Sequence, residues 1–341
     1  MKKNIFLSEL VVLVFLFYIF LIIVTSNTSL NWNGTKWNEF PRVDLLALFM
    51  AAWIFRISTE DKLFRYSALT TLATAVILSP PGLISVLLFV WFLIVFIYIF
   101  KKNKNYFLSS LEKIRTLFPF FLLLYIYPIF PMVLYSKSNG QIHDYDTQLL
   151  NLDLILFNGH NPHLILETII PKWSLEVLAF SYTSYTLLTA IIVMYLFIFK
   201  ENEEIHELIF MLCLSLAIGY MGYFYVPAIG PLYSLSFHSP LDLNLMKPIK
   251  EALMDHTRIP RDCFPSLHTA ITLIVCYEIK KYGNKVMNLI LQPIGLLVPI
   301  ACIALRYHYI VDVIFGALLA ILIILLYEKY LKKKLSINFS E

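Results

Sequence analysis

The chain has 341 residues, of which 59% are hydrophobic and only 15% are charged, and its formal net charge is +4. A soluble domain of this length could not bury so much apolar surface, since about a quarter of the residues in an average protein are charged. The composition therefore excludes an ordinary soluble protein and predicts an all-α, polytopic transmembrane helix bundle. A nucleic-acid partner is not indicated either, because the basic residues lie between apolar runs and form no groove with interleaved aromatics.

A helix that crosses a bilayer needs about 20 mostly apolar residues. Clear candidate spans lie near 7–25, 83–100, 117–135, 174–199, 206–227, 266–280, 286–305 and 308–327. Two shorter apolar runs, near 43–57 and 66–79, leave the total at eight or ten spans.

Basic residues concentrate in the cytoplasmic loops of membrane proteins. The richest basic clusters surround Lys102, Lys281 and Lys333, and even numbers of predicted spans separate them. All three clusters can therefore be cytoplasmic together with the C-terminus, and a count of ten spans also places the basic residues of 56–65 inside. The segments 136–172 and 228–265 and the turn at Arg306 then lie on the extracytoplasmic face, which is the outer face of the plasma or inner membrane if the chain is bacterial.

The extracytoplasmic segment 136–172 is too polar to span the bilayer. It carries His143, Asp144, Asp146 and Asp153 among several leucines. This pattern predicts a short interfacial helix that caps the bundle.

Two polar islands interrupt the apolar sequence on that same face. They are Phe264-Pro265-Ser266-Leu267-His268 and His308-Tyr309-Ile310-Val311-Asp312, each beside a predicted span. Ionisable groups at membrane depth are costly and usually functional. The islands therefore predict a catalytic site at the membrane surface.

The spacing within the islands predicts different catalytic roles for their residues. His308 and Asp312 are four residues apart, which places them on one face of a helix if the span starts at 308. The carboxylate can then hold one ring nitrogen and leave the other free to attack. His268 begins another span, after a proline and a serine that suit a helix start, and can act as general acid and base. Such a set suits phosphoryl transfer through a phosphohistidine.

Two other interpretations use the same residues. Two histidines and a carboxylate are a possible ligand set for zinc or iron. A buried His-Asp pair could instead relay protons in a non-enzymatic transporter or channel. The other six histidines are interpreted as ordinary solvated or hydrogen-bonded side chains: His143, His160, His163, His206, His238 and His256.

The islands also resemble a known family. Pro265-Ser266-Leu267-His268, followed forty residues later by the motif His308 to Asp312, resembles the last two signature motifs of the PAP2 (type 2 phosphatidic acid phosphatase) superfamily. The resemblance is closest to the branch that contains inositol phosphorylceramide synthase, an inositolphosphotransferase, and its bacterial relatives. Segment 219–231, which closes on Pro-Ala-Ile-Gly-Pro, and segment 146–159 resemble other elements of that branch. The resemblance extends over about 117–327.

The resemblance implies a six-helix PAP2-like catalytic domain at 116–330, an additional membrane-spanning module at 1–115 and a polar tail at 331–341. It implies that His308 is the nucleophile, Asp312 its partner and His268 the general acid and base, with no metal or other cofactor. The expected activity is transfer of a phosphate-linked headgroup between lipids, or release of inorganic phosphate, on a phospholipid or sphingolipid substrate.

The chain departs from the phosphatase members of the superfamily in its cations. Those members carry a basic first motif and an arginine six residues before the nucleophile, whereas position 302 here is Cys302 and 227–231 contains no basic residue. Substrate phosphate is therefore predicted to meet Arg306, Arg258 or Arg261, together with Ser266 and the N–H groups of the helix start. A hydroxyl-rich stretch at 181–186 could line the headgroup cavity or bond between helices.

Overall fold

The computed structural model describes residues 7–25, 113, 116–117, 119–124, 127, 143–241, 243, 245–246 and 261–332. Every regular element in these ranges is helical, which confirms the predicted all-α class. The named helices are α1 (Leu7–Thr25), α2 (Asp146–Leu156), α3 (Pro162–Ile169), α4 (Lys172–Thr183), α5 (Tyr185–Phe199), α6 (Asn202–Tyr225), α7 (Pro231–Ser234), α8 (Leu267–Tyr282), α9 (Lys285–Ala304) and α10 (Ile310–Leu326), which continues as a π-helix over Tyr327–Leu331.

Three of the described helices are long and apolar enough to cross a membrane: α6, α9 and the continuous run Ile310–Leu331. The pair α4 and α5 would add a fourth if it acts as one span bent by 42°. Helix α8 replaces the predicted span at 266–280 and has only 16 residues. The predicted spans near 43–57, 66–79 and 83–100 lie outside the described residues, so the choice between eight and ten stays a prediction.

The bend between α4 and α5 has a local cause. The hydroxyl groups of Thr183 and Ser184 donate to the carbonyl oxygens of Ala179 and Phe180, at 2.9 and 2.6 Å. Hydroxyls that bond back to the preceding turn compete with the helical backbone bonds and favour a bend. The predicted span at 174–199 is therefore broken at Ser184.

Helix α8 lies at the centre of the described bundle. It packs against α5, α6, α9 and α10, while α4 packs on α9 and α2 packs on α10. Helix α1 packs on α6 and belongs to the same compact unit as the chain from Phe130 onward. Because α8 begins one residue before His268, this packing carries one predicted catalytic side chain into the middle of the bundle.

Two glycines allow the segment before α8 to approach its neighbours. A Cβ atom on Gly222 of α6 would collide with Pro265, and one on Gly316 of α10 would collide with the carbonyl oxygen of Ser266. Only a residue without a side chain permits such close backbone contact. The first polar island is thus held tightly between α6 and α10.

The turn between α9 and α10 positions the second island. The carbonyl oxygen of Cys302 accepts the N–H groups of Tyr307 and His308, both at 3.1 Å, which closes the C-terminus of α9. Arg306 takes a left-handed conformation, with φ of 64°, at the point where the chain leaves the helix. A helix end of this kind usually carries a glycine.

Helix α10 begins at Ile310, two residues later than the predicted span. Tyr309 is its N-cap residue, and Asp312 in the first turn accepts the Tyr309 N–H at 2.9 Å. The prediction that His308 lies on the same helix as Asp312 was therefore wrong, although the two side chains do lie 3.7 Å apart, as their spacing predicted. The carboxylate caps the helix start, and His308 lies in the preceding turn.

Candidate active site

The two histidines of the polar islands face each other. The Nε2 atom of His308 lies 3.3 Å from the Nδ1 atom of His268, and the two rings meet edge to face with centroids 5.5 Å apart. His308 is only 2% exposed, whereas His268 is partly exposed. The pair can therefore be reached by a substrate from the side of His268.

The tautomer of His308 follows from its other ring nitrogen. Nδ1 lies 2.9 Å from the carbonyl oxygen of Cys263, and a carbonyl can only accept a hydrogen bond. Nδ1 therefore carries the proton, and the lone pair of the neutral ring is on Nε2, which points toward His268. A ring held in this way is prepared for attack through Nε2.

Asp312 contributes charge and support next to this ring. Its Oδ2 atom lies 3.7 Å from the Nδ1 atom of His308 and accepts the thiol of Cys263 at 2.7 Å, in addition to the Tyr309 N–H. Burial, and then the neighbouring Asp312 charge, raise the pKa of Cys263 well above its usual value, so the thiol remains protonated and donates. The carboxylate is fully buried, and its Oδ1 atom makes no hydrogen bond to any described residue.

Aromatic rings hold His268 in place. The Tyr182 ring stacks on it with centroids 4.6 Å apart, and the Tyr185 ring meets it edge to face at 4.5 Å. The Tyr307 ring in turn stacks on the Tyr182 ring, with centroids 4.8 Å apart. The hydroxyl-rich stretch thus supplies tyrosine rings to the site, while the Thr183 hydroxyl bonds to carbonyls of its own helix.

Ser266 joins the two islands. Its Oγ accepts the Thr269 N–H at 3.3 Å as the N-cap of α8, and its own N–H donates to the Asp312 carbonyl at 3.1 Å. The side chain is fully buried. Ser266 is therefore positioned to hold the segment of His268 against α10.

Two of the three predicted phosphate-binding arginines already have protein partners. Arg306 donates to the Ser239 carbonyl at 2.8 Å and lies 3.4 Å from Glu167, and its side chain is buried. Arg261 donates to both carboxylate oxygens of Asp144, at 2.7 and 3.2 Å, and is 30% exposed. Arg258 lies outside the described residues.

Two aspartates of α2 form hydrogen bonds that support the second island. This role was not predicted from the sequence. Asp146 accepts the N–H groups of Ile229 and Gly230, at 3.0 and 2.8 Å, and the hydroxyl of Tyr309 at 3.0 Å. Burial, and then the charge of Asp146, raise the pKa of Tyr309 above its usual value, so that hydroxyl donates.

Asp153 holds the beginning of α10 directly. Its two oxygens accept the N–H groups of Ile310 and Val311, both at 2.9 Å, and His163 contacts it at 3.2 Å. A carboxylate at a helix N-terminus satisfies unpaired donors and favours the helix dipole. The signal in the sequence was the spacing: two aspartates seven residues apart, with Leu149 between them, mark one buried face of an otherwise exposed interfacial helix.

The comparison with known protein families gives a match that covers both histidine motifs. A family model described as the PAP2 superfamily matches residues 147–326, which is more than half of the chain and includes both histidine motifs. Neither the curated proteins nor the solved structures contain a match.

Proposed function

The chain belongs to the PAP2 superfamily, and on this premise we propose that it is an integral membrane lipid phosphotransferase that works through a phosphohistidine. Membership supports phosphatase or phosphotransferase chemistry on lipid phosphates. The transfer of a phosphate-linked headgroup between lipids is our specific proposal, and the resemblance to the inositolphosphotransferase branch favours it over hydrolysis. The charge pattern favours the extracytoplasmic leaflet as the place of reaction.

The proposed first step forms a bond between the Nε2 atom of His308 and phosphorus. The bond from phosphorus to the leaving lipid oxygen breaks, and His268, protonated before the step, gives its proton to that oxygen. In the second step a hydroxyl of the acceptor lipid gives its proton to His268 and attacks phosphorus, which releases His308. Water in place of the acceptor lipid would release the phosphorylated headgroup. A lipid phosphomonoester has no headgroup on phosphorus, and its hydrolysis would release inorganic phosphate, which is phosphatase activity.

One observation carries this proposal: the 3.3 Å contact between the His308 Nε2 and the His268 Nδ1. It brings a ring with a free lone pair next to a ring that can exchange protons. The two rings must move apart to admit a substrate phosphorus and its leaving oxygen, and each ring can then meet one of these atoms. The Cys263 carbonyl and the Asp312 charge support the nucleophile while it becomes a positively charged phosphoimidazole.

Phosphate oxygens gain stabilisation from the start of α8. His268 lies in its first turn, so the positive end of the helix dipole lies beside the reacting group. Of the two predicted phosphate-binding arginines that the structure describes, Arg261 is the more exposed one, and we assign it to the substrate phosphate. Its ion pair with Asp144 orients the guanidinium group. The proposed steps need no metal ion, because His268 transfers the protons and the helix dipole and Arg261 stabilise the phosphate charge.

Product analysis tests the proposal. Purified protein in detergent is given a lipid labelled at phosphorus, with and without an acceptor lipid that has a free hydroxyl. We expect label to move to the acceptor lipid, and base-stable, acid-labile label on the wild-type protein but not on His308→Ala. Label released only in water-soluble products, as phosphorylated headgroup from a diester or as inorganic phosphate from a monoester, would establish hydrolysis instead. No label on His308 during turnover would refute the phosphohistidine.

A further inference from the structure

Three different ligand atoms meet behind the nucleophile. The Cys263 Sγ, the His308 Nδ1 and an Asp312 carboxylate oxygen all lie within 4.8 Å of one another, and all three residues are buried. We propose that these three side chains form an inhibitory binding site for Zn²⁺ and similar divalent ions that prefer sulfur and nitrogen. The binding site stands on the geometry alone, whereas its inhibitory effect rests on the proposed function.

The distances fit a zinc ion with one adjustment. Tetrahedral zinc, with bonds of about 2.0–2.3 Å, places its ligand atoms roughly 3.3–3.5 Å apart. Nδ1 of His308 lies 3.7 Å from both the Cys263 sulfur and the Asp312 oxygen, close to that value. The sulfur and the oxygen are 2.7 Å apart and must separate by roughly 0.8 Å. Loss of the thiol proton to solvent on metal binding would drive that separation, because the hydrogen bond disappears and two negative atoms repel.

An unpartnered atom points to the same conclusion independently. Oδ1 of Asp312 is buried and makes no hydrogen bond to any described residue. A buried carboxylate oxygen without a partner is costly, and a cation bound by both oxygens of Asp312 would remove that cost. Sulfur, imidazole and carboxylate together favour zinc over magnesium or calcium, which prefer all-oxygen sites.

Metal binding would disable the nucleophile. Zinc takes the lone pair of a neutral imidazole, so coordination at Nδ1 of His308 requires the ring proton to move to Nε2. The Nδ1–H bond to the Cys263 carbonyl is lost at the same time. An Nε2 atom that carries hydrogen cannot attack phosphorus, and we expect inhibition that a chelator reverses.

The first experiment measures binding without activity. Co²⁺ is titrated into purified full-length protein in detergent, and the near-ultraviolet absorption of a thiolate-to-cobalt bond is recorded. We expect the band in wild type and in the matched control Cys276→Ser, which removes a buried thiol from the middle of α8. We expect it to be absent in Cys263→Ser and Cys263→Ala, with zinc affinity at least about tenfold weaker.

The second experiment measures inhibition, with each protein normalised to its own rate in chelator. Buffered free Zn²⁺ should inhibit wild type and Cys276→Ser, and the zinc concentration for half-inhibition should rise at least about tenfold in Cys263→Ser. The absence of the cobalt band in wild type, or its persistence in both Cys263 variants, would overturn the site. A cobalt band without zinc inhibition would keep the binding site and refute its inhibitory role. An absence of lipid phosphate turnover would reject the proposed function but leave the binding result intact.

Discussion

Asp312 lies 3.7 Å from the Nδ1 atom of His308, beyond hydrogen-bonding distance, although both side chains are buried. The nearer acceptor of that ring nitrogen is a backbone carbonyl. The carboxylate can therefore act on His308, the proposed nucleophile, through its charge and through the start of α10. Two contributions of Asp312 are therefore distinct: its negative charge near His308 and its hydrogen bond at the start of α10.

Asp312→Asn and Asp312→Ala should separate them experimentally. An asparagine keeps an oxygen for the Tyr309 N–H but loses the charge, so we expect kcat to fall about 10²-fold with little change in Tm. An alanine loses both, so we expect an additional destabilisation of about 1 kcal/mol from the lost cap. Rates and thermal unfolding of the two purified variants test this; equal Tm losses would contradict the division.

His308 and His268 should differ in how their loss depends on the leaving group. His308→Ala removes the nucleophile, and we expect kcat to fall about 10⁴-fold or more with every substrate. His268→Ala removes the acid, and we expect a fall of about 10²–10⁴-fold with alkyl phosphodiesters. An activated aryl ester needs no protonation, so it should lose far less in His268→Ala. Equal losses with both ester types would assign His268 another role.

Asp153 is predicted to be a positioning residue. Asp153→Ala leaves the N–H groups of Ile310 and Val311 without their buried partner, and we expect a loss of about 3 kcal/mol in the free energy of unfolding. Asp153→Asn retains one acceptor, so we expect it to keep the fold while kcat falls and KM stays constant, because the nucleophile is displaced. Glu203→Gln, at an exposed position of α6, is the control and should change neither quantity. A raised KM with normal kcat would instead indicate contact with substrate.

The two described arginines should respond differently to substitution. Arg306→Gln breaks a buried contact with Glu167, so we expect Tm to fall by several degrees. Arg261→Gln removes a partly exposed cation, so we expect KM for the lipid phosphate to rise about tenfold at unchanged Tm. Asp144→Asn should give a smaller rise in KM, because Arg261 keeps its charge but loses the carboxylate that orients it. A normal KM in Arg261→Gln would remove this residue from the proposed phosphate site.

The sequence predicted the helical membrane bundle and three of its spans, which correspond to α6, α9 and α10. The predicted span at 174–199 is broken, the one at 266–280 is a helix of only 16 residues, and the catalytic roles stay predictions. The predicted properties depend on local sequence pattern. Apolar runs of about 20 residues form membrane spans, and ionisable residues within such runs are costly enough that they usually have a function.

The sequence also predicted that the two islands lie on one membrane face, because even numbers of spans separate the basic clusters. The contact between His308 and His268 agrees with this, and the side of the membrane stays a prediction. The six-helix core and the boundary at 115–116 stay predictions.

The bonds that each polar group makes were decided by tertiary structure. His308 bonds to the carbonyl of Cys263, and Asp153 caps a helix that begins 157 residues later in the chain. Arg306 is two residues from His308 in sequence, yet its side chain contacts Glu167. The physical reason is that a buried polar group must take whichever complementary partner the packed helices bring within about 3 Å, and this depends on distances in space that sequence spacing does not encode.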